Sequence, residues 1–247
     1  MRSFTGFVRV VKDVIYIGFH ILAKKKKEML KAVLFDMDGV IVDTEPLHKK
    51  AYYSMFDEAS VAVSDALYES FTGQSTINIC KKLVTHFELD TTPENLVSIK
   101  RKYFKHLFDT DESLGLIEGV EERIKDYHSN GLTLVLASSA SMPNINRIFT
   151  RFDLDQYFVA KLSGADLKES KPHPEIFSKA AEASGHHTSE CMVIEDSTNG
   201  IQAAKGANIY CVGYNSYHSK NQDYSKADKV ISHFKEIEYN AVSKLFL

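Results

Sequence analysis

The feature that most limits how this chain can fold is an alternation beginning at Lys31: short apolar runs, several ending in a knot of polar residues, separated by amphipathic stretches. That pattern makes βαβ units, in which parallel strands are covered on both faces by helices and so read as continuous hydrophobic runs. Residues 32–35, 133–137 and 192–194 read as buried strands, and 158–160 and 209–212 as weaker ones. Helices fit between them at 120–130, 144–149, 174–184 and 200–205. Pro174 stands where a first helical turn tolerates proline, and Gly131, Gly185 and Gly206 stand where helices end. The expected fold class is α/β, a doubly wound parallel sheet of Rossmann-like form.

Residues 44–114 interrupt this alternation with no strand of their own. Their apolar residues recur at helical spacing, as do Tyr52, Tyr53 and Phe56, and again Ile99, Tyr103, Phe104 and Leu107. A helical cap inserted after the first strand is expected there, which leaves residues 29–43 and 115–247 as the core. A length of 247 residues suits one core with such an insertion better than two separate domains.

Residues 1–28 differ from the rest. Residues 4–22 are aromatic and β-branched, and Lys24, Lys25, Lys26 and Lys27 form a basic run. A secretory signal carries its positive charge before the apolar stretch, and a span needs about 20 apolar residues. Here the charge follows, and Arg9, Lys12 and Asp13 interrupt the segment. Two readings remain: an extension upstream of a start at Met29, outside the fold, or a peripheral amphipathic anchor. A cytoplasmic monomer without stable membrane association is the expectation. The odd, widely spaced Cys80, Cys191 and Cys211 fit reduced, packed thiols rather than a disulfide framework or a zinc site. With 30 Lys and Arg against 33 Asp and Glu, a polyanion such as nucleic acid is not the expected partner; a small molecule is.

In a doubly wound sheet the C-terminal ends of neighbouring strands converge on one crevice. The first strand ends in Asp36-Met37-Asp38-Gly39, the second in Ser138-Ser139, and the fourth, preceded by Ser170-Lys171-Pro172, in Glu195-Asp196-Ser197. Singly, each piece has an ordinary explanation: a turn at Asp38-Gly39, a helix cap at Ser138, a solvated Lys171, capping acids at Glu195-Asp196. Their joint placement at strand ends is what points to chemistry. Four carboxylates in one crevice cannot all ionise without a counter-charge, and a hard dication with oxygen ligands, Mg²⁺, answers that need. Lys171 adds a second positive charge, and Ser138, Ser139 and nearby amides offer hydrogen bonds to an anion, so the set suits a phosphate. No histidine base is evident for a serine nucleophile, which leaves a carboxylate to attack phosphorus.

Asp36-Met37-Asp38-Gly39, Ser138, Lys171 and Glu195-Asp196 resemble, in order, the four motifs of the haloacid dehalogenase-like hydrolases. The helical insertion resembles that superfamily's C1-type cap, and from Met29 onward the chain is most similar to the branch of β-phosphoglucomutases and sugar-phosphate phosphatases. The resemblance implies that Asp36 is the nucleophile forming an aspartyl phosphate and that Asp38 protonates the leaving alcohol and later activates water. It also implies Mg²⁺ ligation by Asp36, Asp196 and the main-chain carbonyl of Asp38, with Glu195 as a ligand or behind the ligands, and a phosphate held by Ser138 and Lys171. Dehalogenation is disfavoured, because dehalogenases of the superfamily lack the second aspartate that Asp38 supplies.

Phosphatase and mutase share these core residues and differ in the cap. In the mutases a cap loop around a glycine carries a basic pair; here it reads Phe71-Thr72-Gly73-Gln74-Ser75-Thr76, with Thr72 and Thr76 where that pair would fall. Loss of two cations for a dianion favours hydrolysis of a small sugar or polyol phosphate, with Thr72, Gln74 and Thr76 facing hydroxyls. Thr44 and His48 match cap-hinge positions near the general acid, and Lys102 is within reach of the site; these favour the mutase. A non-enzymatic phosphoacceptor domain is the remaining alternative, though such domains are about half this length.

Overall fold

In the computed structural model, the structure describes residues 29–71, 76–216 and 221–246; the expectations for residues 1–28, Thr72 and Gln74 lie outside them. Six parallel strands form one sheet: β1 (Ala32–Phe35), β2 (Thr133–Ser138), β3 (Phe158–Ser163), β4 (Cys191–Glu195), β5 (Tyr210–Tyr214) and β6 (Lys229–Ile231). Their order is β3-β2-β1-β4-β5-β6, so the chain reverses its direction of growth between β1 and β4. A crevice at the carboxyl ends of those two strands follows from that reversal.

The central strand AVLF is buried along its whole length, as is β4, because each is paired on both sides and covered on both faces. Four core helices do the covering. On one face α5 (Val120–Ser129) and α6 (Met142–Arg151) pack against Val33, Phe35, Leu134 and Met192. On the other, α7 (Glu175–Ser184) and α8 (Thr198–Gly206) meet Ala32, Leu34, Val135 and Val193. The alternation along each strand decides which face a side chain joins.

Register sets the level of the strand ends. Phe35 is paired with Leu136 on β2 and with Ile194 on β4, so the residues that follow emerge at one height. After β1 the chain folds back on itself, with the amides of Ile41 and Val42 both donating to the Met37 carbonyl.

Between β1 and α5 come α1 (Glu45–Glu58), α2 (Asp65–Glu69), α3 (Thr76–His86) and α4 (Pro93–Thr110). They carry an apolar cluster of their own, including Met55, Phe56, Cys80, Leu83 and Leu96. Helix α4 belongs to both clusters: Leu96 and Val97 pack within the cap, whereas Phe104, Leu107 and Phe108 pack against the core. Arg151 on α6 fastens its C-terminal end by donating to the carbonyls of Phe108 (3.1 Å) and Asp111 (2.8 Å). Cys80, Cys191 and Cys211 are buried free thiols, and burial pushes all three thiols up. No helix among the described residues is long and apolar enough to cross a membrane.

Candidate active site

The flush strand ends bring Asp36, Ala137 and Glu195 to one level with Ser138 one residue beyond, and the loop before α7 adds Lys171. Its ammonium donates to Asp36 Oδ1, to Glu195 Oε1 at 2.7 Å and to the carbonyl of Ala137 at 3.2 Å, and it stands 4.8 Å from the Phe177 ring centre. All three ionisable groups are withdrawn from water. Burial pushes the Asp36 carboxyl up, Lys171 opposes this, and Glu195 and Asp196 push it further up; the net direction is upward. For Lys171, burial works to lower its pKa, but Asp36 and Glu195 outweigh it and hold the ammonium charged.

Glu195 is turned inward. Its Oε1 faces Lys171, and its Oε2 accepts from the amide (2.7 Å) and hydroxyl (2.9 Å) of Ser197, the residue that caps α8 by accepting from Gly200. Gly200 is required because a Cβ there would lie 1.7 Å from Oε1. Glu195 thus orients Lys171 and the start of α8, which favours the second of the two roles left open for it.

Asp196 follows at the strand end. A Cβ on Gly39 would lie 2.1 Å from its Oδ2, so the left-handed turn at Gly39 (φ +84°) leaves the space this carboxylate takes. Among the described residues, no group of three or more acid, histidine or cysteine side chains converges as a metal centre. The donor set that fits a hard dication is smaller: the carboxylates of Asp36 and Asp196 and one main-chain oxygen, all hard oxygen donors. The cradle at Gly39 and the charge of Asp196 felt at Asp36 are consistent with it.

Asp38 lies across the crevice and accepts a hydrogen bond from the buried Thr44 hydroxyl at 2.6 Å. Burial raises its carboxyl pKa, opposed by Thr44, Lys171 and Lys100. Ser138 is almost fully buried and its Oγ accepts from the Ala140 amide at 3.0 Å, whereas Ser139 is exposed at the mouth. A cleft of about 220 Å³ opens beside these residues, lined by Asp38, His48, Phe104, Phe108, Ser139 and Asn144.

The cap contributes a lysine, and it is not the one expected. Lys102 is exposed on α4, near Tyr103. Lys100, two residues earlier, is buried: its Nζ donates to His48 Nδ1 at 2.6 Å and stands over the rings of Tyr52 (4.9 Å) and Phe104 (4.8 Å). Helical spacing explains this, since Lys100 shares the stripe of Leu96, Val97 and Phe104 and Lys102 does not. Burial lowers the Lys100 pKa to about 8. Burial, with Lys100 adding to it, lowers His48 to about 3, so the imidazole stays neutral. An ammonium cannot accept, so Nδ1 is the acceptor and the imidazole proton is assigned to Nε2. His48 is also stacked on Phe104, 4.2 Å between ring centres. Thr76 joins the same cluster by accepting from the Tyr52 hydroxyl at 3.2 Å. Asn144 and Phe108, unnamed in the sequence reading, carry no motif; only their positions on α6 and α4 place them at the cleft.

A family profile described as haloacid dehalogenase-like hydrolase matches residues 33–214, which span every core motif. The chain belongs to that family. It is 31% identical over 192 residues, 78% of this chain and 88% of the relative, to the phosphorylated carbohydrates phosphatase of Thermotoga maritima. It is 29% identical over 178 residues, 72% of this chain and 80% of the relative, to hexitol phosphatase B of Escherichia coli K12. The crystal structure of a protein described as a β-phosphoglucomutase of Thermotoga maritima superposes with a TM-score of 0.74 at 28% identity, covering 87% of this chain and all of that one. The parallel sheet with an inserted helical cap is the arrangement of the family's C1-capped branch.

Proposed function

We propose that this member of the haloacid dehalogenase-like hydrolases is a cytoplasmic, Mg²⁺-dependent phosphoric monoester hydrolase acting on a small sugar or polyol phosphate. The observation that carries the reading is the buried Lys171 bridging Asp36 and Glu195, with Asp38 facing them under Thr44. Asp36, Asp196 and the Asp38 carbonyl would hold the ion, which would supply positive charge against the acids and the phosphoryl oxygens.

Lys171 and the donors around Ser138 hold the phosphoryl group and exclude water from its inner side. An Asp36 carboxylate oxygen forms a bond to phosphorus as the ester P–O bond breaks, and the Asp38 carboxyl gives its proton to the departing alcohol oxygen. Asp38, now a carboxylate, takes a proton from water as that water's oxygen attacks phosphorus and releases Asp36. The raised pKa of Asp38 keeps a fraction protonated for the first half of the cycle. Burial is the main cause of that rise, opposed by Thr44, Lys171 and Lys100.

A mutase interconverting β-glucose 1-phosphate and glucose 6-phosphate is the second reading, favoured by the likeness to the structure described as a β-phosphoglucomutase and by the buried cation Lys100 held against His48, which lines the cleft. A panel of sugar and polyol phosphates assayed for both inorganic phosphate and isomerised sugar separates the two. Phosphate release abolished by Asp36→Asn is the expected result; isomerisation without net release would reverse the choice, and full activity in Asp36→Asn would end both.

A further inference from the structure

We propose that Tyr224 is a positioning residue that presets the backbone of Asp196 for the metal ion. The inference rests on the reading of Asp196 as a ligand. Asp196 is the one residue between the end of β4 at Glu195 and the cap of α8 at Ser197. Asp36 closes the neighbouring strand β1, and its amide donates to the Ile194 carbonyl of β4 at 3.0 Å, so the two proposed acidic ligands leave adjacent strands one residue apart in register. Something must hold Asp196 in place before an ion binds.

The segment after β5 does so. The Tyr224 hydroxyl donates to the carbonyl of Asp196 at 2.9 Å; the carbonyl of Tyr214 lies farther, at 3.3 Å, so the single hydroxyl proton goes to Asp196. The ring is admitted by Gly213, where a Cβ would stand 2.8 Å from Tyr224 Cδ1. Two neighbours anchor the same segment to the first turn of α8. Gln222 Oε1 accepts from the Thr198 amide (2.8 Å) and hydroxyl (3.0 Å), and the Asp223 amide donates to Thr198 Oγ1 at 2.7 Å. Residues 222–224 therefore form a strap that ties the acid-bearing loop at Asp196 to the first turn of α8 at Thr198. A fixed main chain at Asp196 leaves its carboxylate few alternatives to the space beside Gly39. Pre-ordering of this kind lowers the cost of assembling a ligand set.

Tyr224→Phe keeps the ring on Gly213 and removes only the hydroxyl. Metal-free, full-length wild type, Tyr224→Phe and Asp196→Asn are melted across a Mg²⁺ titration, a readout independent of turnover. Tyr224→Phe is expected to need about fivefold to tenfold more Mg²⁺ for half of the metal-dependent rise in Tm, the scale of one lost hydrogen bond. Its Tm without metal should fall by no more than about 4 °C, and its phosphate release should recover at saturating Mg²⁺. A wild-type Mg²⁺ response in Tyr224→Phe, whatever its Tm, overturns the proposal and leaves the hydroxyl a purely stabilising role. An undiminished Mg²⁺ response in Asp196→Asn overturns the ligand assignment beneath it.

Discussion

Two buried lysines, one from the core and one from the cap, lie in surroundings that treat the charge in opposite ways. Lys171, from the core, sits between two carboxylates that keep it protonated. Lys100, from the cap, sits on two aromatic faces and a neutral imidazole, and burial draws its pKa down to about 8. The first is held charged between the acids, which fixes it in place beside the proposed nucleophile, where the proposed mechanism has it meet the phosphoryl group. The second pays a desolvation cost that Glu45 and Asp38 only partly offset and that an incoming anion would offset further.

The comparison breaks most decisively at Lys171. Lys171→Met strands two buried carboxylates, and such a loss typically costs about 3 to 5 kcal/mol. The expected outcome is a large fall in urea midpoint together with at least a ~100-fold fall in phosphate release; retention of either at wild-type level contradicts that placement of Lys171. Asp38→Ala comes next, with a rate loss of about 100-fold to 10,000-fold and Mg²⁺ affinity nearly unchanged, since the ligand proposed there is a main-chain oxygen. Equal losses in rate and metal affinity would refute that division.

Lys100→Met is expected to act in two directions. KM for the sugar phosphate rises about tenfold, the value of one charge-assisted contact, while Tm at pH 7 increases because a costly buried charge is gone. The sign of the pH effect follows from linkage. The folded pKa of about 8 lies below the ordinary lysine value of 10.5. Between these two pH values the unfolded chain binds more protons, so wild-type stability gains from this group as pH rises through that window. Lys100→Met lacks that gain, and denaturant titrations at pH 7.5, 9 and 10 read it directly. Lys102→Ala completes the series with the smallest effect: its exposed side chain on α4 should leave KM and Tm unchanged within about 0.5 kcal/mol.

Much of the core was legible because the physics there is local. A run such as AVLF, closed by Asp36 and Asp38, announces both a strand buried on two faces and the place where it ends. The same holds for β4, closed by Glu195-Asp196. Strand β6 was missed: three residues, KVI, at a sheet edge with Val230 half out in solvent, leave no pattern. In the cap, Lys102 was preferred to Lys100 because a run of charges conceals which member lies on the apolar stripe; counting from Leu96 to Phe104 in steps of four selects Lys100. Tyr224 had no signal at all. Its partner is a main-chain carbonyl 28 positions earlier, and only the pairing of β4 with β5 brings the two within reach.

Helix α4, with one end seated among cap residues and the other among core residues, makes the cleft wall and the buried cation parts of a single rod. A movement that widens the cleft at Phe104 and Phe108 must carry Lys100 with it, one helical turn away. The ring that lines the cleft and the buried charge are thus fixed to each other by helix geometry, and Arg151 fixes that end of the rod to the core.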